Sequence, residues 1–159
     1  MQLYRGQKEW RRDMQITAPS LRSGYFNDPT IWTEIQIDLF TTLLEASDSG
    51  DKKARSHLES QLLHIQSAKH ANPFVSCSRR WSVAQGFALF NDTPGYVLSI
   101  VGSGAGFDFA AVRERHGLFG DAVDHLFEFG VPRVLGNDFT VVQVHYVQPF
   151  GRPTEVVFP

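Results

Sequence analysis

The chain has 159 residues, enough for one domain that buries about two thirds of its unfolded surface. Its hydrophobic content of 42%, with 13 Phe, 3 Trp and 4 Tyr, excludes disorder, and a net charge of −2 excludes partners recruited by overall charge. The lone Cys77 excludes intramolecular disulfides and a cysteine-built zinc site, and no apolar run is long enough to span a bilayer, so no membrane insertion is expected. The opening Met1 to Gly6 has neither the basic start nor the apolar stretch of a signal peptide, so any export signal is expected outside this chain.

Leu3 to Arg5 reads as a short strand, followed by a polar, basic stretch from Gln7 to Asp13 and a loop carrying Pro19 and Gly24. Asp28-Pro29 is an N-cap followed by proline at the first helical position. Ile31, Ile35, Leu39 and Leu43 then recur every four residues, with Trp32, Phe40 and Leu44 beside them, which predicts a helix. Ser47 to Asp51 breaks it, and Leu58, Leu62 and Ile65 mark a second helix to about Ser67. Phe74 to Cys77 is a short strand, and Ser78 is placed to cap a helix with Trp81, Ala84, Phe87 and Ala88 as its buried face, ending near Asn91. After the turn Thr93-Pro94-Gly95, Tyr96 to Val101 and the valine-rich Phe139 to Val147 are expected to be central strands. The stretch between them up to His125 is expected to hold a short helix and a mobile loop. This order predicts one mixed α+β domain over residues 1–159 rather than a doubly wound fold.

Two tempting motifs carry little. Gly102-Ser103-Gly104-Ala105-Gly106 is not followed by Lys-Ser or Lys-Thr, so it reads as a turn and not as a phosphate loop. The 6 histidines show no metal-ligand spacing, so no metal is expected.

Three strand-end motifs carry the chemistry: Tyr4-Arg5-Gly6, Phe74-Val75-Ser76-Cys77-Ser78 before a helix, and Glu128-Phe129-Gly130-Val131-Pro132. Singly, each has a plain structural reading: a solvated strand-end arginine, serines that cap a helix, a surface carboxylate. Jointly and in this order they resemble the Arg, Ser-x-Ser, Glu branch of the ADP-ribosyltransferase superfamily, shared with bacterial polymorphic-toxin modules. Tyr4-Arg5-Gly6-Gln7, Trp10 and Pro19-Ser20-Leu21-Arg22 also resemble, with less weight, the opening of domains named for Phe-Arg-Gly.

The superfamily resemblance implies two packed β-sheets with flanking helices, and NAD as a co-substrate without a metal. It implies Glu128, Arg5 and Ser76 as catalytic residues, with Tyr4, Arg5, Gly6, Ser76 and Ser78 at the NAD site. The residue types suit that chemistry. Breaking the nicotinamide–ribose bond develops positive charge on the ribose, which a carboxylate such as Glu128 stabilises more in the transition state than in the ground state. Arg5 offers a planar fork to the dinucleotide phosphates, and Gly6 leaves room for backbone to approach the nicotinamide amide. By the resemblance, Ser76 would orient the glutamate or support the first strand. Trp81, Phe90 and Phe119 stand open as the aromatic wall for the nicotinamide ring.

Arginine-modifying relatives carry Glu or Gln two residues before the catalytic glutamate. Leu126 stands there in this chain, which argues against an arginine acceptor. Arg79-Arg80 and Arg113 with Arg115 suit a phosphate backbone, so the expected acceptor is a macromolecule, a structured RNA or a protein. The resemblance implies the C-terminal catalytic module of a longer toxin, secreted or injected and acting in a target-cell cytoplasm, with an immunity protein that blocks the cleft. Its rivals are an NAD glycohydrolase and a catalytically silent binding module of the same fold.

Overall fold

A computed structural model of the chain describes residues 1–118, 128–136 and 138–156. In chain order these form strand β1 (Gln2–Gln7), helices α1 (Pro19–Arg22), α2 (Pro29–Asp48) and α3 (Lys52–Ser67), strand β2 (Phe74–Ser78) and helix α4 (Trp81–Ala88). Strands β3 (Gly95–Gly102) and β4 (Phe107–Asp108), helix α5 (Phe109–His116), and strands β5 (Glu128–Pro132), β6 (Phe139–Val147) and β7 (Thr154–Glu155) complete the fold. The mixed α+β class expected from the sequence is what is found. Of the loop stretch expected before His125, α5 is seen, while Phe119, His125 and Leu126 lie outside the described residues.

Every strand pairing is antiparallel, and the described strands join in one sheet of order β4-β5-β2-β1-β3-β6-β7 where two packed sheets were expected. The sheet is nevertheless folded over on itself. In a flat sheet β5 and β6 would stand about 19 Å apart, four strand spacings of about 4.8 Å. The rings of Phe129 on β5 and Phe139 on β6 are only 5.8 Å apart between centroids. The fold line is the junction of β1 and β2, which pair only at Tyr4 and Ser78. One hydrogen-bonded link therefore joins two halves that share a hydrophobic cluster, with Leu3, Leu98, Ile100 and Val144 from one side and Val75, Cys77, Phe129 and Val131 from the other.

Strand alternation then assigns the outer faces. The far face of β2 carries Phe74, which packs with Phe107 and Phe109 beneath α2 and α3, against Phe40, Leu58 and Leu62. α4 covers the far face of the other half, with Ala84 and Ala88 against Val97 and Val147. It can come that close because Gly6 and Gly95 lack side chains: a Cβ on Gly6 would lie 1.8 Å from the Ala84 carbonyl oxygen, and one on Gly95 2.2 Å from that of Ala88.

Local signals set the helix starts. Asp28 caps α2 by accepting from Ile31 N at 3.2 Å, and Asp51 caps α3 by accepting from Lys53 N and Ala54 N. The four-residue spacing that predicts α2 divides along its length, with Leu39 and Leu43 packed in the core and its first two members turned outward. Ile31 and Ile35 are 57% and 55% exposed, while Thr33, Gln36, Ile37, Phe40, Leu43 and Ser47 are buried. Phe87, expected on the buried face of α4, is also 57% exposed. Ser78 is not the cap of α4: Arg80 holds that position, and the Ser78 hydroxyl oxygen accepts from Arg80 N at 3.1 Å in the turn before it.

Candidate functional site

A regular ladder continuing from the Tyr4–Ser78 pair would set Gly6 opposite Ser76. Instead β1 and β2 part, and the Ser76 carbonyl accepts from Arg5 Nη1 at 2.7 Å. Arg5 Nε donates to Gln7 Oε1 at 3.0 Å, so the guanidinium is held at the mouth of the split. Desolvation lowers the Arg5 pKa from its ordinary value; the Cys77 thiol opposes this and Arg22 adds to it. An arginine so shifted keeps its charge at physiological pH.

β2 and β5 pair along their full length, with Ser78 opposite Glu128 and Ser76 opposite Gly130. Ser76 and Glu128 therefore point to the same face, one step apart on the diagonal, and Ser76 Oγ donates to Glu128 Oε1 at 3.1 Å. The other carboxylate oxygen, Oε2, lies 3.8 Å from Arg113 Nη1, and 22% of the Glu128 side chain remains exposed. Burial raises the Glu128 pKa above its ordinary value, against the pull of Arg113 and then of the Ser76 hydrogen bond. Cys77, at the next position, is pushed up to about 12 by burial, so it is a neutral packing thiol and not a nucleophile.

The split opens a cleft of about 560 Å³, within the range of small-molecule and cofactor sites. Tyr4, Arg5, Gly6, Ser76, Ser78 and Glu128 all line it. Residues from three distant segments thus meet around one cavity. Pro19 and Arg22 of α1, Ile65 and Gln66 of α3, Lys69, Asn72, and Val83 and Phe87 of α4 complete the walls. Among the described residues the lining carries the cations Arg5, Arg22, Lys69 and Arg113 and the carboxylate of Glu128, a balance that favours an anionic ligand. Gly6 has a structural duty here as well, since its missing side chain is what admits α4.

The four arginines grouped from sequence as acceptor contacts divide. Arg113 is 2% exposed and faces Glu128 inside the cleft, so it is closed to a phosphate backbone. Arg115, two residues on, turns outward and donates to Asp48 from Nε at 3.0 Å, pinning α5 to the end of α2. Arg79 is ion-paired with Asp108, and its guanidinium lies 5.9 Å from the Phe129 ring centroid. Arg79 and Arg80 are exposed and do not line the cleft. Of the aromatics left open, Trp81 stands edge-on to Tyr4 and His145 and is not in the lining, and Phe90 is exposed elsewhere. Phe87 is the aromatic that sequence reasoning missed, because helical spacing placed it with Ala84 and Ala88. Lys69 has no sequence signal at all.

Among the described residues no group of His, Cys, Asp and Glu side chains could hold a metal ion, and no helix is long and apolar enough to cross a membrane. No protein-family model, curated protein or solved structure matches this chain.

Proposed function

We propose that this chain is the catalytic domain of a mono-ADP-ribosyltransferase that cleaves NAD and transfers ADP-ribose to a macromolecule. The observation that carries the reading is the convergence of Arg5, Ser76 and Glu128 on one cleft, with Ser76 donating to the carboxylate. The layering supports an ADP-ribosyltransferase fold: two half-sheets face each other, joined by one link, and the cleft opens where β1 and β2 part.

In this reading Arg5, Arg22 and Lys69 take the diphosphate, and NAD enters as a substrate. The bond from ribose C1′ to the nicotinamide nitrogen breaks, and nicotinamide leaves with the electron pair. Glu128, held by Ser76, stabilises the charge that develops on the ribose. An acceptor atom then bonds to C1′ and gives up its proton. Phe87, protruding into the cleft from α4, offers a ring face for the nicotinamide.

A guanidinium already stands beside the carboxylate, so a cationic acceptor would approach against Arg113. Together with Leu126 this favours a structured RNA, or a protein group other than arginine. Arg79 and Arg80 at the exposed end of β2 remain as acceptor contacts, while Arg113 and Arg115 do not. The role is that of a toxin module acting in the cytoplasm of a target cell, with an immunity protein that plugs the cleft in the producing cell.

The test is incubation of the domain with labelled NAD and a cell lysate, followed by separate protease and ribonuclease digestion. Nicotinamide release with label freed by one digest supports transfer and names the acceptor class. Nicotinamide release without labelled macromolecule makes the enzyme a glycohydrolase. Failure to bind NAD at millimolar concentration would leave a silent binding module and end the reading.

A further inference from the structure

We propose that Arg113 is a positioning residue whose buried guanidinium keeps the Glu128 carboxylate ionised and aims it into the cleft. None of the three strand-end motifs contains this residue. The inference rests on the proposed function only for what the carboxylate then does.

Arg113 heads the large side chains that are fully buried, a position where an apolar residue of similar volume costs less. A charge kept there calls for a partner, and Glu128 Oε2 lies 3.8 Å away. The carboxylate is thereby divided: Oε1 accepts from Ser76 at 3.1 Å, while Oε2 feels a cation without a hydrogen bond from it, leaving lone pairs for a substrate hydroxyl.

The backbone beneath Arg113 is pinned at both ends. Asp108 caps α5 by accepting from Ala111 N at 3.0 Å, and Gly117 ends it in the left-handed region at φ +62°. On the outer side, Arg115 and His116 both hold Asp48, the latter at 2.7 Å between Nε2 and Oδ1. Inside, the guanidinium lies 5.5 Å from the Phe109 ring centroid. The helix is thus fixed with Arg113 turned inward.

Among the described residues, the charged groups around Glu128 on the packed elements are Arg113 from α5, Arg5 from β1, and the ion pair of Arg79 on the turn after β2 with Asp108 on β4. Ser76, Ser78 directly opposite, and the neutral Cys77 thiol are its polar neighbours from β2. Arg113 is the largest influence opposing the effect of burial on the carboxyl group.

The experiment is a ¹³C NMR titration of the Glu128 carboxyl in the full chain for wild type, Arg113→Met, Arg113→Lys and Ser76→Ala. Arg113→Met should raise the midpoint by about 1–3 pH units and Arg113→Lys should hold it near wild type. Ser76→Ala should raise it less than Arg113→Met. An unmoved midpoint in folded Arg113→Met overturns the proposal. Should that variant fail to fold, the wild-type Arg113 Nε–H resonance decides: it should titrate with the Glu128 midpoint and lose that titration in Glu128→Gln. A pH-independent resonance also overturns it.

In the active enzyme the acid limb of kcat should shift upward in Arg113→Met by the same interval, with KM for NAD little changed. A protein that releases no nicotinamide but shows the coupled titration refutes the enzymatic reading alone. A turning-over enzyme without the coupling refutes this one alone.

Discussion

Among the described residues two glutamate–arginine pairs answer to opposite forces. Glu34 of α2 and Arg133, just beyond β5, meet in a two-pronged ion pair with more than two fifths of each side chain exposed. Glu128 and Arg113 stand 3.8 Å apart with the arginine side chain 1% exposed. The Arg133 hydrogen bond lowers the Glu34 pKa, whereas burial raises that of Glu128 in spite of Arg113. Under the proposed function, contact quality does not predict which pair matters. The better-formed pair is a solvated strap between α2 and the end of β5; the looser one sits in the cleft, where the loss of water strengthens each charge's effect on the other.

The largest separation between the pairs should appear in turnover. Glu128→Gln should keep the fold and NAD binding but lose about 10²–10³-fold in nicotinamide release, whereas Glu34→Gln should leave the rate unchanged. Equal rates for both would remove Glu128 from the mechanism.

Stability should divide the pairs next. Arg113→Ala leaves a buried carboxylate uncompensated and should cost about 3 kcal/mol or more at neutral pH in denaturant unfolding. Arg133→Ala should cost under about 1 kcal/mol. Similar losses would mean that the burial of Arg113 is not what distinguishes it.

The pH dependences should run in opposite senses. Glu128 binds its proton more tightly folded than unfolded, so wild type should gain Tm relative to Glu128→Gln as pH falls from the raised midpoint toward 4.5. Glu34 binds its proton less tightly folded. Its stabilisation is present above 4.5, and the advantage of wild type over Glu34→Gln should fade as pH drops through the lowered value. Parallel slopes would refute the contrast. The smallest effect should come from salt: at about 1 M the Debye length is about 3 Å, which should weaken the exposed pair by a few tenths of a kcal/mol and leave the buried pair's coupling in place.

Much of the frame was legible along the chain. Asp28-Pro29 announced α2, the spacing of Leu58, Leu62 and Ile65 marked α3, and Phe139 to Val147 is β6 to the residue. The strand-end residues of the site were legible too, because types such as Arg5, Ser76 and Glu128 stand out at the ends of apolar runs. What escaped is informative. Ile31 and Ile35 carry the spacing of a buried stripe yet face outward, since the face a helix buries is chosen by what packs on it, here Phe74 and Phe107 beneath Phe40. Phe87 shares the spacing of Ala84 and Ala88 but overhangs the cleft.

The amino-acid order by itself determined the main element types, the starts of α2 and α3 and the three residues that meet in the cleft, because each follows from steric and hydrogen-bonding preferences within a few neighbours. Only the tertiary structure decided that one sheet folds at the β1–β2 link, that Arg22 and Lys69 join the cleft, and that Arg113 faces Glu128 while Arg115 turns to Asp48. These outcomes depend on which charges lose their water when distant segments pack. Desolvation belongs to the assembled molecule, and no local pattern carries it.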